Sequence, residues 1–159
     1  MALPGLGSST PVIWKDRLYV LAAIPAGGAA PASEPLVGHE FTVFAIKRSD
    51  GSVAWRRTAR KEVPHEGQSF VVALDKKTGS ELWRKNRDEA TTWATPLIVE
   101  QAGLRQVVTS GTRKARSYDL ATGELLWEAP GLTPNAIPTP IESPVYLRGY
   151  RHLYRISRR

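Results

Sequence analysis

The sequence contains no cysteine, one methionine and three histidines among its 159 residues. Without cysteine the chain can form no disulfide framework, no thiolate nucleophile and no cysteine-ligated zinc site. Acidic residues are also few, because 15 of them face 22 lysines and arginines, which gives a formal charge of +7. The apolar fraction of 42% and the charged fraction of 23% are typical of a globular protein and exclude wholesale disorder.

Long hydrophobic runs are missing too. The longest uncharged stretch, Leu18 to Ser33, contains two internal prolines and two glycines and is too short and too interrupted to cross a bilayer as a helix. Residues 15–32 resemble a signal peptide, with two basic residues before LYVLAAIP, but a signal peptide rarely begins this far into a chain. We therefore expect neither a membrane span nor a signal peptide in this sequence.

Common catalytic and nucleotide-binding motifs do not occur in the sequence. HExxH, GxSxG, the P-loop and GxGxxG are all absent. The pairs His39-Glu40 and His65-Glu66 each precede a predicted strand, and we interpret both as solvated loop pairs, since adjacent strand residues point to opposite faces. No nucleophile with a matched base is found, so the sequence favours a noncatalytic chain and leaves open whether it is an enzyme.

Glycine and proline are frequent, and five tryptophans and five tyrosines accompany them, which indicates many short strands joined by tight turns. Three segments share a glycine followed four residues later by tryptophan. In each segment an apolar strand end leads into a polar turn, where glycine supplies the positive φ that a tight turn needs. The segments are AIKRSDGSVAW at 45–55, ALDKKTGSELW at 73–83 and SYDLATGELLW at 117–127.

The second and third copies also share an aspartate and a threonine. A short carboxylate at this place accepts hydrogen bonds from turn amides, and the threonine adds a hydroxyl. The first copy has Lys47 where aspartate is expected, so we predict a less tightly held turn there. We expect the three tryptophans to be packing residues. The motif residues are Gly51 and Trp55 in the first copy, Ala73, Asp75, Thr78, Gly79 and Trp83 in the second, and Asp119, Thr122, Gly123 and Trp127 in the third.

A Thr-Pro pair opens an apolar run at three places, Thr10-Pro11, Thr95-Pro96 and Thr139-Pro140. Proline is tolerated at the start of a strand, where no ladder amide is lost. One unit therefore contains a Thr-Pro strand, two further strands, the glycine turn and the tryptophan strand. Four antiparallel strands in 44 residues, the spacing from Gly79 to Gly123, are typical of a β-propeller blade.

The spacing from Gly51 to Gly79 is only 28 residues, which leaves no room for the first two strands of the second blade. We therefore predict an all-β fold with about three and a half four-stranded antiparallel blades. Closed propellers have roughly 4 to 8 blades, so this would be a partial β-propeller. The predicted parts of this single domain, 1–159, are a blade at 10–58, a half blade at 69–87, a blade at 94–129 and an incomplete blade at 137–157.

The pattern Ala-x-Asp-x-x-Thr-Gly-x-x-x-Trp resembles the repeat of pyrroloquinoline-quinone (PQQ)-type β-propellers. The stretches TTWATPLIVE and GLTPNAIPTP are similar to those of propellers like the outer-membrane assembly lipoprotein. The resemblance implies a periplasmic or secreted parent protein, of which this chain is a partial or internally deleted copy. Its own compartment stays open.

The quinoprotein enzymes in this family hold PQQ with a vicinal cysteine pair, a calcium ion and a catalytic aspartate. The lack of cysteine weakens this alternative, a degenerate quinoprotein-like oxidoreductase, without excluding it. The adjacent acids Asp88 and Glu89 are candidate calcium ligands. Calcium takes six to eight oxygen ligands from several segments, however, so we interpret both acids as solvated. We therefore expect no cofactor, with PQQ and calcium belonging only to the alternative.

The function that we predict is a noncatalytic scaffold whose loops bind another protein or a small ligand. Candidate recognition loops lie at 25–34 and 131–138, and Asn135 is the candidate residue in the second. Trp93, just before the strand that opens with Thr95-Pro96, is the other candidate residue. Self-association of two chains to complete a ring is a further expectation. A second alternative is a basic surface for nucleic acid, because lysine and arginine cluster at 47–48, 56–61 and 113–116, but these clusters fall on different blades.

Overall fold

The computed structural model describes residues 2–5, 7, 9–25, 38–62, 69–89, 94–132, 145–148 and 153–156. The regular elements within these ranges are β-strands, and no helix among them is long and apolar enough to cross a membrane. The strands are β1 (Val12–Trp14), β2 (Arg17–Pro25), β3 (His39–Lys47), β4 (Val53–Glu62), β5 (Ser69–Leu74), β6 (Glu81–Arg87), β7 (Leu97–Gln101), β8 (Leu104–Ser110), β9 (Lys114–Asp119), β10 (Leu125–Pro130), β11 (Val145–Arg148) and β12 (Leu153–Ile156).

Two of the sheets are four-stranded antiparallel meanders, β1-β2-β3-β4 and β7-β8-β9-β10. We call them the first sheet and the third sheet. Between them in sequence, β5 pairs with β6 in a two-stranded sheet, and β11 pairs with β12 further on. The predicted all-β fold is confirmed, and the chain is a partial β-propeller. The blade bounds and the single-domain division given above stay predictions.

The chain divides into two compact units. One consists of Met1–Gly67 and Leu74–Leu82, and the other of Gln68–Ala73 and Trp83–Arg159. The first sheet lies in the first unit, together with the turn between β5 and β6. The third sheet lies in the second unit, together with the last five residues of β6.

The first sheet has one core face, because alternate residues of a strand point to opposite sides. Val20 of β2 lies opposite Phe44 of β3, and Ala22 lies opposite Thr42. Ala22, Phe44 and Ile46 are buried on this face. The partly buried side chains that pack against them are Leu3, Leu18, Val20 and Ile24.

The third sheet has its core on the face that carries its repeat tryptophan, Trp127. Val99, Val108 and Ala115 form its core with Leu132, which follows β10. Trp127 and Ala129 pack against this cluster, and both lie on the same face as Val108 and Ala115. This is the face that carries the repeat tryptophan, whereas the first sheet has its core on the opposite face.

The Asp-x-x-Thr-Gly turns are braced by their aspartates. Asp75 accepts hydrogen bonds from the Lys77 amide (3.0 Å), the Thr78 amide (2.8 Å) and the Thr78 hydroxyl (2.8 Å). Asp119 accepts from the equivalent three donors at 2.9, 2.8 and 3.1 Å. The Thr78 hydroxyl and amide hold the pKa of Asp75 below its ordinary value, and the Thr122 amide does the same, as the largest cause, for the pKa of Asp119.

The first turn has the same backbone without this carboxylate. The Lys47 amide donates to the Ser52 carbonyl at 2.8 Å, and the Gly51 amide donates to the Lys47 carbonyl at 3.0 Å. Asp50 accepts from the Ser52 amide at 2.8 Å. In this turn the side chain that accepts a backbone hydrogen bond is therefore that of Asp50, and not that of Lys47, which begins the turn.

Each of the first two repeat tryptophans contacts the turn of the following repeat. The Trp55 indole N–H donates to the Lys76 carbonyl (3.3 Å), and the Trp83 indole N–H donates to the Leu120 carbonyl (3.0 Å). Both acceptors come directly after the turn aspartate. We call this arrangement, a hydrogen bond plus ring packing, the tryptophan–turn contact.

The turn glycine is where the ring packs. Gly79 and Gly123 have φ values of 76° and 73°, and both are buried. A Cβ atom on Gly79 would lie 2.7 Å from the Trp55 ring, and one on Gly123 would lie 2.6 Å from the Trp83 ring. Glycine is therefore required at both positions for two reasons, its positive φ and the close approach of the indole.

The third tryptophan is held differently. The Trp127 indole N–H donates to the Gln106 side-chain oxygen at 3.0 Å. The Ser117 hydroxyl donates to the same oxygen. Trp127 is thus fixed within its own sheet, beside the core of the third sheet.

We predict that Gly123→Ala destabilises the protein more than Gly51→Ala does. Both glycines have positive φ, which costs an alanine about 1–2 kcal/mol, but Gly51 has nothing within 4 Å of its Cβ position. Displacement of the Trp83 ring adds at least about 1 kcal/mol to the Gly123→Ala loss. Urea unfolding of both variants measures the difference, and equal losses would show that the ring contact contributes nothing.

We predict a pH dependence for the Asp75→Asn, Asp119→Asn double variant. The two carboxyl pKa values are lowered in the folded turns, so their stabilisation is present above the unfolded pKa of about 4 and is lost as the pH falls through the folded pKa values. The melting temperature of the variant should lie below that of the unchanged protein at pH 7 and approach it at pH 3. A gap of equal size at both pH values would contradict this linkage.

Candidate functional site

A groove of about 700 Å³ lies in the second unit beside β9 and β10. The lining residues that matter for its chemistry are Lys85, Asp88, Lys114, Arg116, Tyr118 and Glu128. Cations and carboxylates alternate along it, so its chemistry depends on whether they are paired with one another.

Arg116 is the centre of the groove, and its side chain is only 6% exposed. It forms ion pairs with Asp88, with Glu89 (3.3 Å) and with Glu128 (3.3 Å). Burial by itself would lower the pKa of Arg116, but the hydrogen bond with Glu128 and the charge of Asp88 raise that pKa above its ordinary value. The guanidinium is therefore a fixed positive charge that binds three carboxylates.

Glu89 is the buried member of this cluster, with no exposed side-chain surface. It accepts a hydrogen bond from the Arg113 amide at 3.1 Å in addition to the Arg116 contact. Asp88 beside it is exposed, and its backbone carbonyl accepts from the Arg113 guanidinium at 2.6 Å. The interpretation of both acids as solvated is therefore correct for Asp88 and wrong for Glu89. Glu89 is buried because Arg116 and the turn at Gly111 enclose it.

The neighbouring Arg87 and Tyr118 are also buried beneath the groove. Burial lowers the pKa of Arg87 and raises the pKa of Tyr118. Among the residues that the structure describes, no group of three or more histidines and acids could hold a metal ion. Calcium takes six to eight oxygens, whereas the Asp88 and Glu89 oxygens bind arginine, so these two acids do not fit a calcium site.

The basic cluster at 113–116 is occupied by the same network. Lys114 pairs with Glu128 at 2.7 Å, and the Arg113 guanidinium lies 3.9 Å from Asp88. All three cations of this cluster therefore have acidic partners, which weaken its attraction for phosphate.

A second candidate surface lies on the first sheet, on the side opposite its core face. We call it the open face and define it by Leu21, Ala23, Phe41, Val43 and Arg57, which the strand register places on one side. Leu21 is 41% exposed and Phe41 is 37% exposed. Large apolar side chains are therefore in contact with solvent in the middle of a sheet.

The third sheet shows what the same register positions look like when covered. Relative to the repeat tryptophan, Ser110 corresponds to Leu21 and Ala115 corresponds to Val43. Ser110 is 2% exposed and Ala115 is 0% exposed. The first sheet thus carries larger apolar residues in a more exposed setting than the third sheet does at equivalent places.

Arginines border the open face on β4. Arg57 lies opposite Val43, and Arg60 lies opposite Phe41. Arg57 is exposed, as is Arg56, which lies opposite Phe44 and therefore on the other side of the strand. Apolar and cationic groups are combined on this one surface.

The sequence-based candidates are placed unevenly. Trp93 and Asn135, the loop at 26–34 and the pair His65-Glu66 lie outside the described residues. The interpretation of His39 and Glu40 as a loop pair is wrong, because both belong to β3. Glu40 pairs with Lys61 at 2.6 Å, and the hydrogen bond from Lys61 lowers the pKa of Glu40.

Neither the Arg116 network nor the open face was predicted from the sequence. The signal for the network is the acidic pair at 88–89 followed by the alternating cations of 113–116. The signal for the open face is that Leu21 and Val43 alternate with the core residues of the same strands. Either pattern acquires its meaning only once the strand register is known.

Comparison with solved structures identifies proteins with a similar fold. No curated protein matches the sequence. The crystal structure of BamB from Moraxella catarrhalis is similar with a TM-score of 0.56 and 14% identity, over 89% of this chain and 58% of that one. A europium-containing methanol dehydrogenase is similar with a TM-score of 0.50 and 20% identity, over 79% of this chain and 25% of that one. The chain thus spans just over half the length of the first of these proteins and a quarter of the second.

The family model described as outer membrane protein assembly factor BamB matches residues 4–130 and 67–158, which together include nearly the whole sequence. The resemblance seen in the tryptophan repeats is confirmed by this match. The chain therefore belongs to the BamB family of PQQ-like β-propellers.

Proposed function

We propose that the chain is a noncatalytic scaffold that binds a protein partner through the open face of its first sheet. The observation that carries this proposal is the exposure of Leu21 and Phe41 in the middle of a β-sheet. Contiguous exposed apolar side chains bordered by polar groups are typical of interaction surfaces. The family's name, an outer membrane protein assembly factor, supports a role in assembly and an extracytoplasmic parent protein.

The chemistry of the partner follows from the composition of the open face. Leu21, Val43 and Phe41 favour an apolar side of an extended segment, since a sheet face packs against side chains that alternate in the same way. The exposed Arg57 favours a carboxylate along one edge of that segment. The proposed partner is therefore a protein segment with alternating apolar residues and flanking acids.

The Arg116 network supports the noncatalytic part of the proposal. A general acid or base needs a group that can exchange protons with a substrate, and an arginine with a raised pKa does not release its proton. The carboxylates around it bind its guanidinium or Lys114. We infer that this groove stabilises the second unit rather than transforming a substrate.

Photo-crosslinking in the organism of origin tests the proposed surface. A photoreactive residue at Phe41 should capture one defined protein, identified by mass spectrometry, and one at Leu82 should not. Leu82 is 62% exposed and serves as a control of greater accessibility. Capture that is equal at both positions, or absent at Phe41, would argue against the open face as the binding surface.

Once the partner has been purified, charge reversal gives the quantitative prediction. Arg57→Glu should weaken binding about tenfold, because a repulsive charge replaces an attractive one at the edge of the open face. Arg56→Glu, one residue away on the opposite side of β4, should leave the affinity within about twofold. Isothermal titration calorimetry measures both, and equal losses would place binding elsewhere.

For the groove, we predict that Glu89→Gln lowers the free energy of unfolding by about 2 kcal/mol, since a buried charge-assisted hydrogen bond to Arg116 is lost. Affinity for the partner should not change. The exposed Glu100→Gln is the control and should alter stability by no more than about 0.5 kcal/mol. A variant that keeps full stability but loses binding would instead make the groove a recognition site.

A further inference from the structure

The three glycine turns differ in one respect that the repeat itself does not explain. Gly51, Gly79 and Gly123 have nearly the same φ values, 71°, 76° and 73°, and the same backbone hydrogen bonds close each turn. Gly79 and Gly123 are buried under indole rings, but nothing lies within 4 Å of the Cβ position at Gly51. The first turn therefore has the form of a tryptophan acceptor without a tryptophan.

The tryptophans show the complementary surplus. Trp55 packs on the second turn and Trp83 packs on the third turn, so tryptophans and turns pair with an offset of one repeat. Among the described residues this offset leaves one acceptor, the turn at Gly51, and one donor, Trp127. The acceptor lies in the first unit and the donor in the second.

Trp127 can take this role although its N–H bonds to Gln106. In the two existing contacts the atoms nearest the glycine belong to the benzene half of the indole, Cε3 and Cδ2, and not to the nitrogen. The packing part of the contact is therefore separate from the hydrogen bond. Trp127 is half-buried, as are Trp55 and Trp83 in their contacts.

Charge distinguishes Trp127 from the other two tryptophans. Trp55 and Trp83 are each followed by two cations, whereas Trp127 is followed by Glu128, which is paired with Lys114 and Arg116, and is preceded by the exposed Glu124. The first turn contains Lys47 and Arg48 together with Asp50, and Lys15 lies next to it, since the Lys15 carbonyl accepts a hydrogen bond from Arg48. Glu124 beside Trp127 is therefore a better electrostatic match for this turn than the cations beside Trp55 and Trp83.

We propose that two copies of this chain associate head to tail, with the Trp127 strand of one copy packed on the Gly51 turn of the other. Such an interface is heterologous, because different surfaces of the two copies meet, and it can close into a ring or extend. This association is independent of the scaffold function, since a monomer would retain the open face of the first sheet.

Sedimentation velocity over a concentration series tests the proposal. Gly51→Asn fills the acceptor with a residue that tolerates positive φ, and it should weaken self-association at least tenfold. Gly103→Asn is the matched control, because Gly103 has a φ of 77° and also has open space at its Cβ position. Gly103→Asn should associate like the unchanged chain. Equal association of the two variants would overturn the proposal. So would a monodisperse monomer of the unchanged chain at about 10⁻⁴ M, a concentration at which even a weak interface forms.

A mixing experiment tests the direction of the contact. Trp127→Leu removes the donor, and by itself it should also weaken association at least tenfold. Gly51→Asn retains its donor and Trp127→Leu retains its acceptor, so an equimolar mixture should recover a one-to-one complex. Circular dichroism establishes that each variant is folded, and folded variants that fail to recover in the mixture would refute the head-to-tail contact.

Glu124→Lys provides a surface variant for the case in which Trp127→Leu prevents folding. Glu124 is exposed, so its replacement leaves the sheet intact. Association should fall and should become less sensitive to salt, because an attraction to the basic first turn has been removed. Association that is unchanged by Glu124→Lys would overturn the proposal by itself. Whether or not the two copies associate, the crosslinking result expected at Phe41 stays the same.

Discussion

The packing of an indole on a turn glycine is the interaction on which the rest of the structure depends. A β-meander alone buries little, and its hairpins need an external partner to become stable. The tryptophan–turn contact supplies one by placing a large ring on a backbone that only glycine can expose, while a hydrogen bond to a turn carbonyl fixes the ring's position. One such contact lies in each unit, Trp55 with Gly79 and Trp83 with Gly123.

This interaction explains why the repeat could be found in the sequence. Tryptophan and glycine recur at the same spacing in all three copies, and the turn aspartate recurs in two of them, because each serves the local geometry of the turn or its cover. The short interval between Gly51 and Gly79 predicted a second repeat with two strands, and the structure describes β5 and β6 there. Short-range constraints of this kind are visible in one sequence, since turn chemistry depends on a few adjacent residues.

The candidate site was not predictable in the same way. Glu89 is buried because Arg116, 27 residues later, reaches it across the sheet, and nothing in the local sequence distinguishes it from the exposed Asp88. The open face likewise depends on register, since a shift of one residue would exchange Leu21 with the buried Ala22. The strand position of His39 and Glu40 was not visible locally either, because their partners on β4 are more than twenty residues away.

Each tryptophan–turn contact covers the turn of the following repeat, so a turn that no tryptophan covers stays in contact with water. In this chain the unmatched acceptor is the turn at Gly51, and the exposed apolar side chains of Leu21 and Phe41 lie in the same unit. Exposed apolar surface and an open acceptor are unfavourable for an isolated chain, because both retain contact with water that a covered blade loses. Association with a partner or with another copy would therefore bury surface that the isolated chain leaves in contact with water.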